Sequence, residues 1–139
     1  MDRDDLGFLL AKATQRWNEL LMERFRGAGW SEVRPSYGSI LVPLFEEDGL
    51  RMGELARRAR LSKQTMTTMV RLLEREQLVR RERDPDDGRA FRVVLTVKAR
   101  RFEPTAARTL AELAALALQR LGERRLAALK HDLKEWIET

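Results

Sequence analysis

The sequence predicts a mainly α-helical, single-domain protein with one small β-hairpin, an α+β fold. Three observations predict it. Apolar residues recur at spacings of three and four over most of the 139 residues, one short stretch at Phe91–Thr96 alternates, and the turn formers Asp84-Pro85-Asp86-Asp87-Gly88 stand just before that stretch. A chain of this length is one domain's worth.

Leu6, Leu9, Leu10, Ala13, Trp17, Leu20, Leu21 and Phe25 mark an amphipathic helix over 5–26. Asp4 or Asp5 can cap its start, and Gly27 and Gly29 punctuate its end. Arg34-Pro35-Ser36 opens a second helix, with Pro35 in the first turn, where its fixed φ fits. Ile40, Leu41, Leu44 and Phe45 line its inner face, Pro43 predicts a kink or an early stop, and Asp48-Gly49 closes the segment. A short helix from about Met52 to Arg58 turns Met52, Leu55, Ala56 and Ala59 inward. Arg60-Leu61 then leads tightly into a helix that Ser62 can cap. On that helix Met66, Met69, Val70 and Leu73 share one side, and Gln64, Thr67, Thr68, Arg71 and Arg75 share the other.

Val79–Arg83 and Phe91–Leu95 read as two strands of a hairpin whose tip holds Asp87, Gly88 and Arg89. Thr96 is placed to cap a further helix, which Pro104 is expected to bend and Gly122 to break. Leu126, Leu129, Leu133 and Ile137 form the stripe of a last helix.

Composition narrows the chemistry. Apolar residues make up 43% and charged residues 35%, as in a globular protein with a heavily charged surface. There is no Cys, so disulfides, thiolate zinc sites and cysteine nucleophiles are excluded. The single His131, read as a surface residue, leaves no histidine-based metal or catalytic cluster; no cofactor is expected, and the chain reads as a non-enzyme. No stretch approaches the roughly 20 apolar residues that span a bilayer, and Met1-Asp2-Arg3-Asp4-Asp5 is unlike a signal peptide, so a cytoplasmic location is expected.

The net charge of +5 is unevenly spread. Residues 51–101 hold 15 basic and 7 acidic groups, a balance of +8, while the remainder holds 12 and 15, or −3. A basic centre between mildly acidic flanks suits a polyanion-binding module, although an arginine-rich solvated surface has the same composition. Helix, tight turn, helix with a polar outer face and basic hairpin together make a winged helix-turn-helix. In such a unit the second helix fits a major groove and the hairpin tip reaches the neighbouring backbone or minor groove. The same architecture also serves as a protein-interaction module, which is the alternative reading.

Nearly the whole chain resembles the MarR family of bacterial transcriptional regulators. The resemblance is carried by Leu55-Ala56, Leu61-Ser62-Lys63-Gln64-Thr65 through Glu74, Leu78-Val79-Arg80-Arg81, Asp84-Pro85-x-Asp87-x-Arg89 and Val93-x-Leu95-Thr96. It implies a winged lobe over 34–101 between dimerisation helices at 1–30 and 105–139. It further implies a homodimer on an inverted-repeat DNA operator, usually acting as a repressor and released by a small aromatic or lipophilic effector. The DNA contacts it implies, together with the outward helix face, are Ser62, Lys63, Gln64, Thr65, Thr67, Thr68, Arg71 and Arg75 along the major groove. On the wing, Asp87 would stabilise the hairpin and Arg89 would enter the minor groove. Trp17, Trp30 and Tyr37 are candidates to line an effector cleft, with core packing as the other use of each. The chain departs from the pattern at Thr68 and Leu72, where Arg is usual, at Arg71 (Asp), Gln77 (Gly), Gly88 (a second Arg) and Ala99 (Gly).

Overall fold

Three of the helices begin where the sequence offers a side chain to satisfy a free amide. In a computed structural model describing residues 2–139, the Asp5 carboxylate accepts the Phe8 amide at 3.1 Å and starts α1 (Leu6–Gly27). A single 3-10 turn at Pro35–Tyr37 leads into α2 (Gly38–Glu46). Pro43 does not stop α2, which runs three residues further. The carbonyl its missing N–H would have bonded belongs to exposed Ser39, where water can take over.

Asp48-Gly49 does not simply close this segment. Gly49 turns the chain at φ 74°, and Leu50–Arg51 forms a short strand, β1, that the sequence reading did not contain. Two residues are too few to show alternation. What holds β1 is pairing: Leu50 sits opposite Val93 and Arg51 opposite Arg92. Helices α3 (Met52–Ala59) and α4 (Lys63–Arg75) follow, joined through Arg60 in the left-handed region at φ 55°. Strands β2 (Val79–Arg83) and β3 (Phe91–Leu95) pair from Val79–Leu95 to Arg83–Phe91, so the sheet is three-stranded and antiparallel in the order β1-β3-β2.

The Thr96 hydroxyl accepts the Ala99 amide and starts α5 (Val97–Ile137). The helix continues through Pro104. The expected break at Gly122 is present, with φ 80° and ψ 165°, and it divides α5 into limbs 97–121 and 123–137. No helix is long and apolar enough to cross a membrane.

The core lies between α2, α3, α4, the sheet and the first limb of α5. Ile40, Leu55, Met66, Leu73, Leu78, Val93 and Phe102 are among its fully enclosed side chains. The inner faces expected for α2, α3 and α4 are those that are buried. Phe91 is the exception on its strand: it lies at the turn end of the hairpin, 39% exposed, between the guanidinium groups of Arg81 and Arg83 at 5.8 and 5.5 Å from its ring.

Candidate nucleic-acid interface

The outer face of α4 is built by its cap. The Ser62 hydroxyl accepts the Thr65 amide at 3.1 Å and donates to the Thr65 hydroxyl at 2.9 Å, so these two candidate contacts also hold the helix start in place. Thr67 and Thr68 donate their hydroxyl protons to the carbonyls of Lys63 and Gln64, at 2.9 and 3.1 Å. Lys63, Gln64, Arg71 and Arg75 are exposed, and among the described residues their side chains engage no other group.

The wing is held from its base. The Asp84 side chain is fully buried and accepts the Asp86 amide at 2.8 Å, Arg51 Nε at 2.6 Å and Arg92 Nε at 3.1 Å. These bonds hold its carboxyl far below the usual carboxylate range, the Asp86 amide first and the two guanidinium groups next. One carboxylate thus ties the hairpin turn to β3 and, through Arg51, to the start of α3. At the tip, Asp87 accepts the Arg89 amide at 3.1 Å and Arg83 donates to the Gly88 carbonyl at 2.7 Å, which leaves the Arg89 side chain projecting without a partner among the described residues. Asp87 therefore shapes the tip, while Asp84 anchors the wing. Asp84 stood inside the recognised motif, but its burial follows only from the pairing of Arg51 with Arg92, which the unforeseen β1 creates.

The arginines divide sharply. Of the 15 basic side chains in 51–101, ten are held by carboxylates or carbonyls within the described residues: Arg51, Arg57, Arg58, Arg60, Arg80, Arg81, Arg83, Arg92, Lys98 and Arg100. On α3, Arg57 and Arg58 both donate to Glu54 and hold its carboxyl down at about 2. The five without such a partner are Lys63, Arg71, Arg75, Arg89 and Arg101. Four of these lie on α4 and the wing tip. Between α4 and the wing runs a cleft of about 470 Å³ whose walls include Thr67, Arg51, Arg81, Arg89 and Phe91. Free cations beside polar side chains on one convex element and one projecting tip are the chemistry of a phosphate-lined groove.

The three aromatic candidates are not brought together. Tyr37 is buried in the core, and Trp30 packs edge-on against Phe102 at 5.2 Å. Trp17 lies apart from both, in an apolar cleft of about 480 Å³ with Ala13, Ala117, Leu126, Leu129 and Leu133. A smaller cavity of about 60 Å³ lies between α1, α2 and α5, lined by Leu21, Phe25, Val33, Leu41 and Phe102 with Arg34 as its one charged group. Arg34 was read only as part of a helix start. The cavity exists because α5 crosses both α1 and α2, which spacing along the chain does not reveal. His131 is exposed, as read, and pairs with Glu135 at 3.2 Å.

Comparison with known proteins agrees with this geometry. Residues 35–91 match the model of the MarR family. A probable transcriptional regulator from Pseudomonas aeruginosa is 28% identical, over 96% of this chain and 97% of its own, with a TM-score of 0.80. The PcaV transcriptional regulator from Streptomyces coelicolor, solved with its natural ligand, is 22% identical over 100% of this chain and 96% of its own, with a TM-score of 0.83. BpsR from Bordetella bronchiseptica, whose DNA binding is regulated by 6-hydroxynicotinic acid, reaches a TM-score of 0.84 at 16% identity, over 100% of this chain and 97% of its own. No curated protein sequence matches the chain.

Proposed function

We propose that this chain, which carries a MarR-family winged helix-turn-helix over residues 35–91, is a sequence-specific DNA-binding transcriptional regulator that acts as a homodimer on an inverted repeat. The observation that carries the reading is the division of the basic side chains within residues 51–101: ten are held by carboxylates or carbonyls, and of the five without such a partner among the described residues four lie on α4 and the wing tip. In this reading α4 enters a major groove with Gln64, Thr67 and Thr68 toward base edges. Lys63, Arg71 and Arg75 meet phosphates, and Arg89 enters the adjacent minor groove.

The second chain is supported by apolar surface that one chain leaves open. Leu6, Leu9 and Trp17 of α1 and Leu129, Leu133 and Ile137 of α5 are all more than a third exposed. A two-fold partner covers such faces without new sequence. Repression with release by a small apolar or aromatic acid is the regulatory reading. It draws on the natural ligand bound to PcaV, on the 6-hydroxynicotinic acid that regulates BpsR, and on the apolar cavity with Arg34 at its wall, a pairing suited to an apolar body bearing one carboxylate. Expansion of that cavity would displace α2 against α1 and α5 and so shift α4 relative to its twin.

The test is a salt titration of the purified protein on random duplex DNA and on duplex selected from a randomised library. Affinity should fall steeply with salt on both, and the selected duplex should bind about 10³-fold tighter or more. Arg75→Ala should lower the logarithmic salt slope by about 1 on both DNAs, as loss of a phosphate contact does. Binding that ignores salt, or no binding, would refute the reading.

A further inference from the structure

Two threonines of α4, Thr67 and Thr68, have spent their protons. In free solution a threonine hydroxyl both donates and accepts, and so reads no base uniquely. Here the Thr68 hydroxyl donates to the Gln64 carbonyl and the Thr67 hydroxyl to the Lys63 carbonyl. Each side chain is left with a methyl group and an acceptor lone pair to offer outward. An A·T pair matches both, through the thymine C5-methyl and the adenine N6 amino group; a G·C pair supplies the cytosine N4 amino group but no methyl.

Gln64 stands one turn before Thr68 on the same exposed face, and among the described residues its amide engages nothing. A free glutamine amide is suited to the N6 and N7 edge of adenine. The four residues from Gln64 to Thr68 advance about 6 Å, against about 3.4 Å per base step, so the two side chains meet bases about two pairs apart. No arginine lies in the first two turns of α4: Arg71 and Arg75 follow about 10 and 16 Å beyond Gln64, where a recognition helix leaves the base edges. Lys63, at the first residue, is a flexible point charge suited to phosphate.

Resting on the DNA-reading role proposed above, we infer that this protein selects half-sites rich in A·T pairs, and that Thr68, with Thr67 beside it, recognises thymine by its methyl group rather than by a hydrogen bond. The reading helix thus replaces the usual arginine–guanine pairing with an adenine-seeking amide and a methyl contact.

The experiment uses the full-length protein and duplexes it selects from a randomised library, each also synthesised with deoxyuridine in place of thymine. Uracil lacks only the major-groove methyl, so the minor groove and the phosphates keep their chemistry. The selected half-sites should be dominated by A·T pairs. Each contacted methyl removed should weaken binding about four-fold, about 0.8 kcal/mol at 1.4 kcal/mol per tenfold, with no change on random duplex. Thr68→Val keeps the methyl and should keep both the affinity and the uracil penalty. Thr68→Ser keeps the hydroxyl and should lose affinity for thymine duplex until the uracil penalty disappears. Selective binding with equal affinity for thymine and uracil duplexes, or half-sites dominated by guanine under α4, overturns the methyl readout and leaves the DNA-binding role standing. A pool with no preference at all overturns both.

Discussion

The winged lobe and the two long helices both carry leucine-rich stripes, yet they end in different states. In the lobe, each apolar stripe meets another within the same chain: α2, α3, α4 and the sheet enclose Ile40, Leu55, Met66 and Val93 completely. In the first half of α1 and the far limb of α5 the stripes line an open apolar cleft and none of their residues is buried. Leu6 is 56% exposed and Trp136 58%, and beyond Leu113 no residue of α5 is buried. One region encloses its apolar faces by itself, and the other leaves them open. The charges repeat the contrast in reverse, because the lobe leaves open a polar, cationic face while closing its apolar one. An apolar face left open points to a protein surface, a cationic one to a polyanion.

The sharpest way to break this comparison is to spoil the open apolar face alone. Leu129→Asp with Leu133→Asp should leave the helical circular dichroism of the lobe intact, convert the sedimenting species to a single chain, and weaken binding to the selected duplex by about a hundredfold or more, because the two reading helices lose their linkage. A dimer surviving that change would show the face is not the contact. The next largest effect belongs to the cationic face. Arg89→Ala should cost about 1–3 kcal/mol in binding to the selected duplex, with an unchanged melting curve, since its side chain supports nothing else in the fold.

A smaller effect sharpens the picture of the lobe as a finished unit. Gln77 holds a left-handed backbone at φ 61°, closing α4 through its amide to the Glu74 carbonyl. A side chain there is strained, so Gln77→Gly should raise stability by about 1 kcal/mol in chemical denaturation without altering DNA affinity. The smallest expected effect is a flat line. Glu54 drops from an ordinary 4.5 to about 2 under Arg57 and Arg58, and the Asp84 carboxyl is lowered from 3.8 by the Asp86 amide and by Arg51 and Arg92. Lowered acids stabilise the fold fully above their unfolded values and lose that contribution as pH falls through the folded ones. These groups should therefore leave wing stability unchanged from pH 5 to 8, with loss confined to pH below about 4.5; thermal melts across that range measure it.

Much of this was legible in the sequence because the decisive signals are local. Asp5, Ser62 and Thr96 cap helices as their positions suggest, the Asp84–Ala90 turn joins the two strands that flank it, and Gly122 breaks α5. The inward faces follow from a period that tertiary packing did not override. The misses share one cause, which is distance along the chain. β1 exists only against β3, Asp84 becomes the anchor only once Arg51 and Arg92 converge on it, and the Arg34 cavity needs three helices to meet. Trp17, Trp30 and Tyr37 share an aromatic residue type, but the fold packs Trp30 and Tyr37 with the core and leaves Trp17 on the open apolar cleft. Pro43 shows the converse: a local rule for stopping helices yields where the orphaned carbonyl belongs to an exposed residue.

The central claim is that two copies of the chain present two α4 helices to one face of a DNA duplex. Hydroxyl-radical footprinting of the full-length protein on its selected duplex measures this directly. Two protected regions related by a two-fold axis, with half-site centres about 10 base pairs apart and two chains bound per duplex, are the expected result. A single protected region occupied by one chain would contradict it.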